Sequence, residues 1–277
     1  MNRTYGEWLD NIHCKKFEHN RISLRVFGVG ANKKIKVTVL KSRNVSSVEN
    51  REQCLERGTV NSEKLSENIS RAKNTIFELA FCNPWDWFFT GTLDPQKYDR
   101  TDLDKYHKTF TQWLRDYSKK YGLNIKFLLV PELHRDGKSW HLHGFLQGLP
   151  TEHLVQYCIG DTMGKGLADK VKKGYVVYNW VSYTNKFGFC DLEAICNHEA
   201  VSKYITKYIN KSLASSVKEL NAHLYYCSRG LNRADVVKSG ILFGVIGIES
   251  TYENEYCKVA WLDYSDELLD KLINSVI

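Results

Sequence analysis

Residues 124–149, NIKFLLVPELHRDGKSWHLHGFLQGL, contain two apolar runs separated by a turn sequence. Both runs are rich in the aliphatic and aromatic residues that favour strands, and the Asp136-Gly137 pair between them is typical of a tight hairpin turn. Successive side chains of a strand point to opposite faces, so His141 and His143 share one face while Leu142 points into the core. The stretch therefore predicts an antiparallel hairpin with two imidazoles directed at one point.

Glu132 lies in the first strand of this hairpin, just before the turn. The antiparallel register makes it a cross-strand neighbour of one of the two histidines. Two imidazoles and one carboxylate leave coordination positions open, which is the arrangement of a catalytic metal site. The ligand types also suit non-haem Fe(II) or zinc, whereas Mg²⁺ or Mn²⁺ would suit a phosphodiester substrate. The alternative is two core histidines that each satisfy a separate hydrogen bond.

The rest of the chain alternates strand and helix patterns, which predicts an α+β fold. Upstream, residues 21–40 read as a hairpin and 61–82 as a helix that Asn83-Pro84 ends. The other predicted elements are a strand in 85–93, a helix in 102–122, a strand in 175–189, a helix from His198 to Leu213, a strand in 240–250 and an amphipathic helix in 266–277. We therefore expect an N-terminal extension (1–82), a central domain (83–235) and a C-terminal extension (236–277).

The segment VSKYITKYINKS (201–212) repeats a tyrosine-lysine pattern. Helical spacing places four of its side chains in one arc and the apolar residues in another: Tyr204, Lys207, Tyr208 and Lys211. A phenol with a pKa of about 10 is a poor nucleophile. Neighbouring lysines would favour the phenolate, and a metal-bound phosphate would be a better electrophile. The pattern predicts two tyrosines that attack phosphodiesters in succession; the plainer interpretation is a half-exposed helix with tyrosines at its rim.

Composition narrows the functional classes. The chain has 39 Lys and Arg against 32 Asp and Glu, a net charge of +7 that favours an anionic partner. Eight cysteines without a C-x-x-C pair are interpreted as reduced thiols. The first residues lack the apolar region of a signal peptide and no 18-residue apolar run occurs, so we expect a cytoplasmic protein with no membrane partner. GVGANKK (28–34) and GKGLADK (164–170) do not match a Walker motif.

Three stretches resemble, in this order, motifs I, II and III of the HUH endonucleases that initiate rolling-circle replication: FFTGTLDP (88–95), WHLHGF (140–145) and YITKYINK (204–211). They are most similar to the two-tyrosine initiators of small single-stranded DNA phages and related plasmids. The resemblance covers about residues 85–233, including SRGLNR (228–233). It implies a ferredoxin-like or RRM-like antiparallel sheet. It also implies nicking of single-stranded origin DNA through a 5′-phosphotyrosine, a free 3′-hydroxyl for a host polymerase, and later strand rejoining.

The resemblance also implies roles for individual residues. The ligands of Mg²⁺ or Mn²⁺ would be Glu132, His141 and His143. The nucleophiles would be Tyr204 and Tyr208, with Lys207 and Lys211 as supporting cations. The expected DNA contacts are Thr90, Thr92, Lys203 and Arg229. Since the chain has no Walker motif, an initiator of this kind would recruit a host helicase in the cytoplasm of a bacterial cell.

Other functions fit part of the pattern. A conjugative relaxase or a single-strand transposase shares the histidine pair, although a relaxase more often carries its tyrosines near the N-terminus. A non-catalytic RRM-like module would bind nucleic acid through exposed aromatic residues at the sheet centre, where this chain has histidines. A metal-dependent oxygenase would not need the clustered lysines and tyrosines.

Overall fold

The computed structural model describes residues 21–41, 62–209, 223–242, 247–254 and 257–277. The chain divides into two compact units: residues 58–232 form the larger one, and residues before and after them form the smaller one. Each unit contains one antiparallel sheet, of seven and five strands, and six α-helices lie within the described ranges. The predicted α+β class is confirmed. No helix in these ranges has the length and apolar character needed to cross a bilayer.

The elements follow one another along the chain as follows. The strands are β1 (Arg21–Phe27), β2 (Lys34–Leu40), β3 (Trp87–Thr92), β4 (Lys126–Leu133), β5 (Trp140–Gln147), β6 (Val155–Gln156), β7 (Tyr178–Asn179), β8 (Cys190–Ala194), β9 (Tyr226–Cys227), β10 (Asp235–Ile241), β11 (Tyr252–Glu253) and β12 (Cys257–Asp263). The α-helices are α1 (Ser62–Phe81), α2 (Leu103–Tyr121), α3 (Lys165–Lys172), α4 (Val181–Lys186), α5 (His198–Ile205) and α6 (Asp266–Asn274).

The predicted histidine hairpin forms the centre of the larger unit, whose strand order is β6-β7-β8-β3-β5-β4-β9. β4 pairs with β5 so that Glu132 lies opposite His141. The turn between them is held by Asp136, whose carboxylate accepts hydrogen bonds from the backbone N–H groups of Lys138 and Ser139, both at 2.8 Å. Gly137 supplies the positive φ of 69° that the turn requires.

The two faces of the seven-stranded sheet differ in character. On one face Leu142 is fully buried, and Phe89 packs against Phe110 of α2 and Tyr183 of α4. The prediction of a strand through 175–189 is wrong for 181–186, which form α4. The reason is that Tyr183 and Phe187 lie one helical turn apart and both are fully buried, so the aromatic residues follow a helical and not a strand period.

Helix α1 belongs to the larger unit. Its residues Ile76 and Leu79 are buried in the same core as the hairpin, and α1 packs on α5. The observed division of the chain therefore differs from the expected boundaries at residues 83 and 235, because this helix buries its apolar stripe beside the central sheet and not in the preceding segment.

The smaller unit combines strands from both ends of the chain, in the order β10-β1-β2-β12-β11. The predicted hairpin of β1 and β2 is confirmed, and β10 and β12 pair with its two outer edges. The predicted C-terminal helix is also confirmed as α6, which begins at the Ser265 cap and buries Leu272. The strand expected in 240–250 ends at Ile241, and residues 243–246 lie outside the described ranges.

One edge of the larger sheet is only partly covered. Within the described residues, β9 pairs with β4 at Leu128 and Leu129 alone, so the rest of β4 pairs only with β5. Pro131, which has no backbone N–H, lies in this uncovered part, as expected for a proline in an edge strand.

Candidate active site

The two histidines lie on the polar face of the central sheet, each beside a threonine of β3. The Thr92 hydroxyl is 2.8 Å from Nδ1 of His141, and the Thr90 hydroxyl is 3.3 Å from Nδ1 of His143. The Nε2 atoms of both rings are buried and have no hydrogen-bond partner. A histidine held through Nδ1 with a bare Nε2 is arranged as metal-binding histidines usually are.

Glu132 completes the predicted group of ligands. Its Oε2 lies 2.6 Å from Nε2 of His143, close enough for an ion pair but outside the angles of a hydrogen bond. The contact with His143 lowers the pKa of the Glu132 carboxyl. Burial lowers the pKa of His141 to about 4, so this ring is neutral near pH 7, the form that binds a metal.

The donor types fit a hard or borderline divalent cation, but the spacing does not yet hold one. In the described part of the chain, no group of three or more His, Cys, Asp or Glu side chains has the arrangement of a metal site. Neighbouring ligand atoms of an octahedral Mg²⁺ are ~3 Å apart, whereas Glu132 and His143 touch at 2.6 Å. The two bare Nε2 atoms are suitable donors, and Glu132 is the ligand that would have to withdraw from its partner.

The tyrosine segment, residues 198–209, begins at Asn197, whose side chain accepts a hydrogen bond from the Ala200 N–H at 2.9 Å. The predicted helix to Leu213 is too long: α5 ends at Ile205 and a 3₁₀ turn, Thr206–Tyr208, follows. The Thr206 hydroxyl donates to the Lys203 carbonyl at 2.8 Å, a local bond that competes with helix continuation. Residues 210–213, including Lys211, lie outside the described ranges.

Both predicted tyrosines reach the histidine face. The ring of Tyr208 stacks on His143 with centroids 4.5 Å apart and planes inclined by 12°. The Tyr208 hydroxyl donates a hydrogen bond of 3.1 Å to the Tyr204 hydroxyl. Tyr204 is 43% exposed and packs edge-on against Phe88. The two constellations that were separated by some 60 residues in the sequence therefore form one site.

The lysines do not surround the phenols as expected. Lys207 Nζ lies 5.2 Å from the ring centroid of Tyr204, a cation–π contact with the ring face. Lys203 pairs with Glu199 at 2.7 Å. Burial and the hydrogen bond to Tyr204 raise the pKa of Tyr208, so its surroundings disfavour the phenolate. The expectation that lysines favour a phenolate is not met at this tyrosine.

Sequence reasoning missed several residues of the site. A pocket of about 560 Å³ is lined by the two tyrosines, His143 and also by Asp191, Lys170 and Glu193. Burial raises the pKa of Asp191 to about 6. Lys170 Nζ and Glu193 Oε1 are 2.6 Å apart. The alternation of CDLEA (190–194) indicates that Asp191 and Glu193 share a face, but nothing local indicates that this strand pairs with β3.

The residues predicted to contact DNA lie in different places. The hydroxyls of Thr90 and Thr92 face the histidine rings. Arg229 is exposed and lines a separate groove with Arg115 and Phe127. In the turn of the hairpin, His134 stacks on His141 with centroids 4.9 Å apart, a contact that the His-x-His pattern does not reveal.

Comparison with known proteins gives one match. Residues 86–213 match the family model of the replication-associated protein ORF2. No curated protein and no solved structure matches the chain. The matched segment contains the histidine hairpin and both tyrosines. Over these residues the chain is similar to replication-associated proteins of the ORF2 family, which supports a role in rolling-circle DNA replication.

Proposed function

We propose that this chain is an initiator of rolling-circle replication of the HUH type, with two tyrosines, that nicks and rejoins single-stranded origin DNA. The observation that carries the proposal is the stacking of Tyr208 on His143. It brings a hydroxyl nucleophile beside two imidazoles whose Nε2 atoms are buried without hydrogen-bond partners. The similarity to replication-associated proteins supports the same reaction class.

In the proposed reaction a tyrosine oxygen attacks the scissile phosphorus and the bond from phosphorus to the 3′ oxygen breaks. The DNA leaves with a free 3′-hydroxyl that takes up the proton released by the phenol, and the 5′ phosphate stays on the tyrosine. His141, His143 and Glu132 would hold Mg²⁺ or Mn²⁺, which when bound supplies polarisation of the phosphoryl oxygens. Attack by a 3′-hydroxyl on the phosphotyrosine reverses these steps and rejoins a strand.

The surroundings of the two phenols favour different roles. Tyr208 is in contact with His143, whereas Tyr204 is the more exposed and accepts the Tyr208 hydrogen bond. We therefore propose that Tyr208 makes the first cut and that Tyr204 serves the second transfer. Because Tyr204 accepts this bond, its own proton is directed away from Tyr208 and towards solvent or DNA.

The partners follow from the same proposal. The net charge of +7 suits single-stranded DNA, and the free 3′-hydroxyl would serve a host polymerase. A host helicase would unwind the duplex, because the sequence has no Walker motif. The proposed setting is the cytoplasm of a bacterial cell. Pull-down with the tagged chain is expected to retain a helicase, and failure to find one would argue against this partner.

The direct test uses a library of random single-stranded DNA incubated with the full chain and Mn²⁺. Denaturing electrophoresis is expected to show a covalent protein–DNA adduct, and sequencing of the captured DNA would give the cleavage site. Peptide mapping of the adduct would identify the tyrosine used. We expect Tyr208→Phe to lower the first-turnover yield more than Tyr204→Phe does, and the double variant to form no adduct.

Two controls make the result specific. Tyr121 is 44% exposed, close to the exposure of Tyr204, and lies at the end of α2, so Tyr121→Phe is expected to leave the yield unchanged. His143→Ala is expected to abolish the adduct. The proposal fails if no adduct forms on any DNA or if the double tyrosine variant still forms one. DNA binding without an adduct would indicate a non-catalytic nucleic-acid-binding module.

A further inference from the structure

Three polar side chains lie in one line across the centre of the sheet. Thr90 of β3 is directly opposite His143 of β5 on one side and directly opposite Asp191 of β8 on the other. The Thr90 hydroxyl lies 3.3 Å from Nδ1 of His143 and is hydrogen-bonded to the Asp191 carboxylate. Asp191 and His143 also line the pocket of the two tyrosines.

Donor and acceptor counting fixes the direction of this chain of hydrogen bonds. An ionised carboxylate only accepts, so the single proton of the Thr90 hydroxyl goes to Asp191. The threonine oxygen then has only lone pairs to offer His143, and Nδ1 of that ring must carry the proton. A neutral His143 with its proton on Nδ1 has a lone pair on Nε2, the atom that faces Glu132.

We infer that Asp191 is a positioning residue, which acts through Thr90 to hold His143 in the Nδ1–H tautomer with Nε2 free to bind a divalent cation. The purpose of this arrangement rests on the proposed nicking function, but the tautomer itself does not. Asp191 would touch neither the cation nor the DNA in this role; it sets the orientation and proton position of a ligand.

The second histidine provides an internal comparison. His141 also contacts a threonine hydroxyl, at 2.8 Å from Thr92. On its other side, however, Thr92 adjoins Phe189, whose carbonyl accepts the Thr92 N–H at 2.8 Å. A phenylalanine side chain cannot accept the hydroxyl proton, so this position lacks the carboxylate that orients Thr90. The same sheet therefore contains one histidine whose threonine is oriented by a carboxylate and one whose threonine is not.

The first test is the imidazole nitrogen spectrum of the full chain without DNA or metal, recorded by long-range ¹H–¹⁵N correlation at slightly alkaline pH. We expect a protonated Nδ1 and a bare Nε2 for His143 in the natural sequence. Thr90→Val and Asp191→Ala are both expected to shift His143 towards the other tautomer while the His141 signals change little. Asp191→Asn keeps an acceptor oxygen and should restore part of the natural signal.

The second test is Mn²⁺ affinity, measured by calorimetry on the same variants. Loss of a partner behind a metal ligand weakens binding by about 10–100-fold, and we expect this for Asp191→Ala and for Thr90→Val. The key measurement is a double-mutant cycle. Asp191→Ala should add little in the Thr90→Val background but should act fully in the Thr92→Val background.

Several results would overturn the inference. These are a protonated Nε2 on His143 in the natural sequence, an unchanged tautomer in both variants, or full additivity of Asp191→Ala and Thr90→Val. Additivity would mean that Asp191 acts directly on the cation. If Asp191→Ala does not fold, as judged by circular dichroism, Thr90→Val alone decides the tautomer. Absence of nicking with the expected tautomer pattern would reject the proposed function and leave the positioning role intact.

Discussion

The β4–β5 hairpin and the tyrosine segment supply the two halves of the same site, yet the chain fixes them by different means. The hairpin is determined locally: the Asp136 hydrogen bonds and the positive φ of Gly137 set the turn, and the register of Glu132 and His141 follows. The tyrosine segment is short, and it is anchored by Ile205 and Ile209, which are fully buried among residues distant in sequence. Local signals place the histidines, whereas tertiary packing places the tyrosines.

The largest effect is expected from Gly144→Ala in the hairpin. A Cβ at this position would lie 1.9 Å from the Leu128 carbonyl oxygen and 2.8 Å from the Leu129 Cα. Both atoms belong to the backbone of the paired strand, so no side-chain rotation relieves the clash. We expect a loss of about 3 kcal/mol or more in the free energy of unfolding, measured by urea denaturation.

Gly137→Ala is the matched control in the same hairpin. Nothing lies within 4 Å of its added Cβ, so the change causes only backbone strain at φ 69°. We expect a loss of ~1 kcal/mol. Equal losses for the two variants would show that the close strand approach at Gly144 does not determine the hairpin.

A smaller but more local effect is expected from Ile205→Ala in the tyrosine segment. Removing a fully buried isoleucine costs ~2–5 kcal/mol in general, and a marginal segment responds by opening locally before the sheet unfolds. Hydrogen exchange should therefore rise in residues 198–209 while the hairpin amides stay protected. Ile22→Ala, equally buried in the smaller unit, should leave exchange of residues 198–209 unchanged. Loss of hairpin protection in Ile205→Ala would contradict the contrast between the two regions.

The smallest effect is expected from Asp136→Ala at the exposed hairpin turn. Hydrogen bonds from Ser139 and Lys138 hold the pKa of Asp136 well below its usual range. A depressed folded pKa stabilises the protein above the unfolded pKa of about 3.9, and this stabilisation is lost as the pH falls towards the folded value. Below about pH 5 the free energy of unfolding should thus fall more steeply with acid in the natural protein than in the variant. Parallel curves would show that the turn does not depend on this carboxylate.

The sequence indicates those parts of the fold and site that neighbouring residues determine. The alternation around His141 and His143, the Asp-Gly turn and the capped helix α2 each depend on residues a few positions apart. Long-range pairing cannot be read in this way. Nothing near Asp191 indicates that it lies opposite Thr90, and nothing in the two extensions indicates that β10 and β12 flank β1 and β2. The end of α5 also eluded prediction, since apolar spacing continues past Ile205 although the helix does not.

Pro131 has a consequence for how copies of this chain meet. An uncovered strand edge offers unpaired N–H and C=O groups that another strand can join, which leads to aggregation. Beyond Leu129 the described part of β4 is such an edge, and it lies beside the histidine site. Proline contributes no N–H there, so a second chain could not extend the sheet across the mouth of the site. The residue that interrupts the hydrogen-bonding pattern of β4 thereby protects access to the histidines at high protein concentration.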